Sequence, residues 1–110
     1  MDGKPPSVKT PTLRNAQQLA RLRPLTFEVP VQERLDRVAP GSLVKICAVA
    51  PQHSGDVEAG GERFWVEVMT RQGNRLTGRV DNQLVYTEEH GLSYGDVVAF
   101  SIENIYDVYD

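Results

Sequence analysis

The side chains that could carry chemistry in this chain are one cysteine, two histidines and a number of carboxylates. Cys47 stands between apolar residues, and no neighbour along the chain would lower the pKa of its thiol. We therefore interpret Cys47 as a structural cysteine and not as a nucleophile. A single cysteine forms no disulfide within its own chain, which is typical of a cytoplasmic protein.

Both histidines have carboxylates near them in the sequence. His53 lies close to Asp56 and Glu58, but their spacing matches no loop signature of a metal site. His90 would form an acid–base pair only if two loops converged, and a solvated polar loop is the simpler interpretation. The carboxylates concerned are Asp81, Glu88 and Glu89. No Gly-rich phosphate-binding motif occurs either, so we predict a protein that is not an enzyme and holds no metal or cofactor.

Length and composition predict one soluble domain: the chain has 110 residues, of which 40% are hydrophobic and 25% charged. No apolar run approaches the ~18 residues of a membrane-spanning helix. The opening residues, Met-Asp-Gly-Lys-Pro-Pro, lack the apolar region of a signal peptide. We expect a cytoplasmic protein that binds no membrane and exists as a monomer or weak homodimer.

The charges are unevenly distributed along the chain. Residues 1–50 carry eight Lys/Arg against four Asp/Glu, whereas residues 80–110 carry seven acids and no Lys or Arg. We expect the basic head and the acidic tail to face each other within one fold or across a dimer. The alternative is that the basic part binds a polyanion.

The chain is organised around residues 61–69, which alternate strictly between two sets of side chains. This period of two predicts a half-buried strand. We predict that one set faces the core and that the other lies on the outer face of a sheet. The first set is Phe64, Val66 and Val68, and the second is Arg63, Trp65 and Glu67.

The N-terminal part differs from the rest. Residues 1–11 contain three prolines and no apolar period, which predicts a disordered or extended arm. Residues 12–38 are predicted to form a helical appendage to a single domain that spans 12–110. Its first helix would have Thr12 as N-cap and end before Pro24, and its second would cover 31–38.

Residues 40–110 are predicted to form a β-core. They contain about five short strands joined by turns rich in Gly, Asn and Asp. This pattern predicts a mainly β (α+β) fold, either a small SH3-like antiparallel barrel or a curled sheet with the helical appendage. Gly78, inside one of the strands, indicates a bend, a bulge or the close approach of another backbone.

A Gly-Glu-Arg-Phe-Trp-Val block at 61–66, followed by Asp81-Asn82 and Tyr94-Gly95-Asp96-Val97, resembles a family of small bacterial domains of unknown function. The resemblance runs from about residue 15 to the end. The other matching residues are 26–30, 40–45, Gly78, 90–92 and Ile105. It implies a stand-alone bacterial or phage-borne module, with some relatives among the immunity proteins of toxin systems, and it brings no activity or ligand.

We predict that a binding surface surrounds Trp65, because aromatic and arginine residues dominate interface hot spots. The candidate binding residues are Trp65, Arg63, Glu67, Asp81, Asn82 and His90. In one interpretation the first helix covers the indole with Leu19 and Leu22. In the other the indole is partly open and forms the floor of the surface.

The expected partner is a protein or a small ligand. The alternative is a nucleic acid, contacted through basic residues of the first helix. Those residues are Arg14, Arg21 and Arg23. A sequence pI near 5.3 and the lack of interleaved aromatic and basic residues in the strands count against it.

Overall fold

The computed structural model describes residues 7–49 and 61–109 as a mostly β fold with short helices. The strands are β1 (Val8–Lys9), β2 (Leu43–Val49), β3 (Gly61–Gln72), β4 (Arg75–Val80), β5 (Val97–Ser101) and β6 (Asp107–Val108). The helices are α1 (Ala16–Leu22), α2 (Gln32–Asp36) and α3 (Thr87–His90), with a 3-10 turn at Ile102–Asn104. The strands form one six-stranded sheet in the order β1-β5-β4-β3-β2-β6, curled into a half-barrel.

The curled-sheet prediction is confirmed. Strands β2 to β5 pair in chain order as an antiparallel meander. A two-residue turn, Gly73-Asn74, joins β3 to β4, and residues 81–96, which include α3, join β4 to β5. The sheet is nevertheless mixed, since β1 pairs with β5 in the parallel direction. None of the described helices is long and apolar enough to cross a membrane.

The predicted N-terminal arm is paired where the structure describes it. Val8 and Lys9 lie beside β5, and the Lys9 ammonium group donates to the Gly91 carbonyl and to Asp96, both at 2.8 Å. Val8 and Lys9 are thus extended, which is one of the two alternatives predicted for residues 1–11, and they pair with a distant part of the chain. Residues 1–6 of the predicted arm lie outside the described residues.

Helix α1 begins later than the sequence predicts. The residue proposed as N-cap, Thr12, instead accepts a hydrogen bond from the backbone N–H of Val49, and Leu13 forms a bridge with Ala48. Because pairing with β2 holds these residues extended, the helix starts only at Ala16, with the Asn15 side chain capping it.

Helix α2 confirms the second predicted helix. Leu35 and Val38 are buried, as their helical spacing predicts. The Arg71 guanidinium in β3 donates to the carbonyls of both residues, at 2.7 and 2.8 Å. Arg71 thus gives two carbonyls at the C-terminal end of α2 a charged donor and ties the helix to the sheet.

The main core fills the concave side of the sheet. Its fully buried members include Phe64, Val66, Val68, Val44 and Ile46. A second, smaller cluster lies on the outer face of β2. It comprises Ala16, Cys47 and Tyr106, with Leu19, Phe27 and Val29 packed against them. Helix α1 therefore covers the Cys47 end of the outer face.

Gly78 marks a close approach between strands, one of the alternatives that the sequence left open. A Cβ atom there would lie 2.3 Å from Cγ1 of Val66 and 2.7 Å from the carbonyl oxygen of Glu67. The β3–β4 register also shifts between Val68 and Thr70, next to Gly78. Only glycine leaves room for these two strands to pack at this point.

Candidate functional site

Strand β3 places the predicted residues on the outer face of the sheet. Phe64, the core-facing neighbour, is 1% exposed, while Arg63 and Glu67 are exposed and Trp65 is partly buried. The predicted assignment of the two faces therefore agrees with the structure. Glu67 lies at the far end of the group, in register with Arg79 of β4.

Two side chains contact the Trp65 ring. The Lys45 ammonium nitrogen lies 4.9 Å from the centroid of the ring, because β2 and β3 place Lys45 directly opposite Trp65. The Tyr109 ring meets the indole edge-on, with 5.9 Å between centroids. The sequence predicts neither contact, because each depends on which strands pair and in which register, and no local sequence pattern indicates that.

The interpretation in which α1 covers the indole is wrong. Leu22, assigned to that cover, is 69% exposed. Leu19 packs in the Cys47 cluster instead. The helix begins too late and lies too far along β2 to place these side chains on Trp65, and the C-terminal Tyr109 takes that position.

A cleft of about 200 Å³ adjoins Trp65 on the same face of the sheet. Its lining residues are Thr26, Phe27, Glu28, Lys45, Arg63, Tyr106 and Asp107. The Arg63 guanidinium carbon lies 4.9 Å from the centroid of the Tyr106 ring, which packs edge-on against Phe27. We call Lys45, Arg63, Trp65, Tyr109 and this cleft the Trp65 surface.

The two cations of the Trp65 surface have no acidic partner in the part of the chain that the structure describes. No described carboxylate lies within 4.0 Å of the Lys45 or Arg63 side-chain nitrogens. Their only described side-chain contacts are with aromatic rings, Trp65 for Lys45 and Tyr106 for Arg63. Arg63 is exposed and Lys45 is partly exposed, so a partner can reach both cations from solvent.

The Asp81-Asn82 turn lies on the other side of Trp65 and is fastened to its backbone. The Asn82 carbonyl oxygen accepts from the Trp65 N–H at 2.6 Å, and the Asp81 N–H donates to the Trp65 carbonyl at 2.9 Å. The Asn82 amide also donates to the Gln83 carbonyl. Asn82 thus positions Trp65, whereas Asp81 is exposed at the rim.

His90 pairs with Glu62 and with none of the carboxylates proposed from the sequence whose side chains are described. Its side chain is 1% exposed, and Nε2 lies 2.9 Å from Oε1 of Glu62. Nδ1 accepts a hydrogen bond from the Leu92 backbone N–H at 3.1 Å. Since Nδ1 must accept, Nε2 carries the proton and donates to the carboxylate. Both ring nitrogens are occupied, so His90 has no free nitrogen for acid–base catalysis.

Glu62 anchors the segment before α3 as well as His90. Its carboxylate accepts from the backbone N–H groups of Val85 and Tyr86, at 2.7 and 2.9 Å. Burial of the carboxylate raises its pKa, but the hydrogen bonds from Tyr86, His90 and Val85 together lower the pKa of Glu62 below its ordinary value. Glu62 is therefore held ionised by its partners, in a structural role.

Cys47, the remaining described candidate for chemistry, is not activated as a nucleophile. Burial raises the pKa of the Cys47 thiol even though a hydrogen bond with Tyr106 opposes this shift, which supports a structural cysteine. Among the described residues no three His, Cys, Asp or Glu side chains come together to hold a metal. The predicted group His53, Asp56 and Glu58 lies outside the described residues.

A larger groove of about 790 Å³ opens elsewhere on the half-barrel. Its lining includes Leu13, Thr70, Arg75, Phe100 and Glu103, and contains none of the candidate binding residues. The basic residues proposed for nucleic acid do not form one exposed stripe. Arg14 lies before α1 and against Gly61, whereas Arg21 is exposed in the last turn of the helix.

In comparisons with known proteins, no family model, no curated protein and no solved structure matches the chain. The resemblance to a family of small bacterial domains therefore stays a prediction.

Proposed function

We propose that this protein is a non-enzymatic binding module and that a partner protein docks on the Trp65 surface. The observation that carries the proposal is the position of the indole. It lies on the outer face of a central strand, it is only partly buried, and Lys45 and Tyr109 hold it from two sides. A ring held in this way gives a partner a fixed apolar contact at low entropic cost.

The residue types of the surface favour a protein partner. Trp, Tyr and Arg are the residues most enriched in binding hot spots, and Trp65, Tyr109 and Arg63 lie together here. The adjoining cleft of about 200 Å³ is smaller than the ~300–1,000 Å³ of typical small-molecule pockets. It fits a single side chain of a partner better than a whole ligand.

The same surface disfavours nucleic acid. Glu28 and Asp107 line the cleft beside the two cations, and a phosphate backbone offers these carboxylates no hydrogen-bond donor. A protein partner can meet both signs of charge with its own side chains. Some relatives of the domain family that the chain resembles are immunity proteins of toxin systems, so a bacterial protein toxin is the first class of partner to test.

The test is retention of proteins from an extract of the cells that make this chain. Immobilised wild type, Trp65→Ala, Tyr109→Ala and the control Tyr94→Ala are compared, with folding checked by circular dichroism. Tyr94 is 58% exposed, so its removal controls for the loss of a surface aromatic ring. We expect a stoichiometric partner, identified by mass, that the first two variants lose and the control keeps.

Two results would contradict the proposal. One is a partner that all three variants retain equally, because it would bind elsewhere on the molecule. The other is retention on DNA or heparin that falls steeply with salt and depends on Arg21 and Arg23. That behaviour would assign the basic residues of the α1 region to a polyanion.

A further inference from the structure

We infer that the partner presents an acidic, extended segment to the Trp65 surface. One carboxylate of the segment bridges Lys45 and Arg63, and an adjacent apolar or aromatic side chain rests against Trp65 and Tyr109. The inference rests on the proposed function and adds the chemistry that the surface selects.

The spacing of the two cations supports a bridging carboxylate. Lys45 faces Trp65 and Cys47 faces Arg63 in the antiparallel register of β2 and β3. Lys45 and Arg63 are therefore diagonal neighbours on one face, a relation that leaves roughly 7–8 Å between positions and lies within reach of long side chains. A single carboxylate group between them can accept hydrogen bonds from both cations.

The two cations are held in place before any partner arrives. The Lys45 ammonium lies over Trp65 and the Arg63 guanidinium lies over Tyr106, each 4.9 Å from the ring centroid. Cation–π contacts of this kind stabilise one orientation of each side chain. Less side-chain entropy is then lost when an anion binds, which strengthens the preference for an acidic group.

Charge complementarity within the cleft selects a peptide segment over a free anion. Thr26 and Glu28 also line the cleft, and their side-chain oxygens can accept hydrogen bonds from a bound peptide. An extended peptide brings backbone N–H groups along with its carboxylate, so it satisfies both halves of the cleft at once. The occupant that fits is thus an acidic segment with an apolar neighbour.

The experiment is selection of random linear heptapeptides displayed on phage against the full immobilised chain. Five proteins are panned in parallel: wild type, Lys45→Gln/Arg63→Gln, Lys45→Glu/Arg63→Glu, Trp65→Ala and the control Arg21→Gln/Arg75→Gln. The control removes two exposed arginines away from the surface. Circular dichroism checks each fold, and Tyr109→Ala replaces Trp65→Ala if the latter is unfolded.

On wild type and control we expect peptides with Asp or Glu next to an aromatic or aliphatic residue. The Gln double variant should lose the acidic preference and bind the best wild-type peptide at least roughly tenfold more weakly, since a bridging carboxylate loses both charged donors. The Glu double variant should select Lys or Arg instead. Trp65→Ala should lose the peptides altogether.

The outcomes separate the inference from the proposed function. Peptides that require Trp65 but show no acidic preference, or keep one on the Gln double variant, overturn the inference and leave the proposed function standing. Peptides that bind Trp65→Ala as well as wild type, or no selected peptides at all, overturn both. Acidic peptides whose affinity falls equally in the control overturn the assignment to Lys45 and Arg63.

Discussion

Glu62 shows how one side chain can position a segment that connects two strands. It accepts hydrogen bonds from two backbone N–H groups and from the buried His90 ring. The chain from Val85 to His90 therefore lies against β3 through a single carboxylate. This fixes the short helix α3 close to the strand that carries Trp65.

Replacing Glu62 by Ala should lower the free energy of unfolding by about 2–4 kcal/mol, because three donors lose their acceptor and the most buried of them cannot reach water. Urea unfolding followed by circular dichroism measures the change. Glu67→Ala is the matched control, since Glu67 is an exposed carboxylate on the same strand; its effect should stay within about 0.5 kcal/mol. Equal losses in the two variants would show that the Glu62 hydrogen bonds contribute nothing specific.

For single residues, the sequence predicts on which face of a strand a side chain lies better than it predicts which residue that side chain contacts. The alternation at 63–68 correctly separates the buried residues from Trp65, because a strand's period of two follows from backbone geometry alone. The sequence does not predict which carboxylate pairs with His90. Glu62 is 28 residues away, and nearer carboxylates compete with it in any reading of the sequence.

Among the elements, the β3–β4 pair has the tightest constraint. Gly78 opposes Val68 at the point where the register shifts, and its missing side chain lets Val66 and the Glu67 carbonyl come close. Helix α1 illustrates the opposite case. The helix starts at Ala16, with Asn15 as its N-cap, because backbone pairing with β2 holds Thr12 and Leu13 extended. The helix propensity of the sequence does not include such pairing.

Gly78→Ala should destabilise the protein by about 2 kcal/mol, since the new methyl group overlaps two neighbouring atoms and the strands must separate. Thermal and urea unfolding of the variant give the measurement. Thr77→Ala, one residue earlier in β4, should cost less than about 1 kcal/mol because Thr77 is only partly buried. A Gly78→Ala protein as stable as wild type would mean that β3 and β4 can move apart freely.

Across the whole molecule, the basic head meets the acidic tail within one fold. Lys9 pairs with Asp96 at 2.8 Å, and Arg34 lies 4.0 Å from Asp107 while donating to the Val108 carbonyl. These contacts agree with the first of the two interpretations of the charge gradient. The first contact joins β1 to the residue before β5, and the second joins α2 to β6 at the opposite edge of the sheet.

Two carboxyl groups with lowered pKa values make the free energy of unfolding depend on pH. Partial burial raises the pKa of Asp96, but its hydrogen bonds with Lys9 and the Ser93 N–H and the charge of Lys9 lower it below the ordinary value. The pKa of Glu62 is lowered as well. A carboxyl group whose pKa is lower in the folded state stabilises the fold above its unfolded pKa, and this stabilisation is lost as the pH falls.

We therefore expect the urea midpoint to fall as the pH drops below about 4, the range of unfolded Asp and Glu. Asp96→Asn should flatten this fall, because Asn still accepts the Ser93 hydrogen bond but no longer binds a proton. Asp81→Asn, at an exposed turn residue, should follow the wild-type curve. A midpoint that rises in acid, or an Asp96→Asn curve identical to wild type, would contradict the assignment.

The pairing of the first strand with a late one has a consequence for how the chain is made. Val8 leaves the ribosome well before its partner Val97, and β2 well before the strand β6 that pairs with it. Strands β4 and β2 thus lack their outer partners until β5 and β6 have been synthesised, while β2 to β4 can already pair with one another. A chain cut short before β5 exposes unpaired backbone at those edges, which makes it a substrate for chaperones and proteases. The six-stranded sheet forms only once β5 and β6 are present.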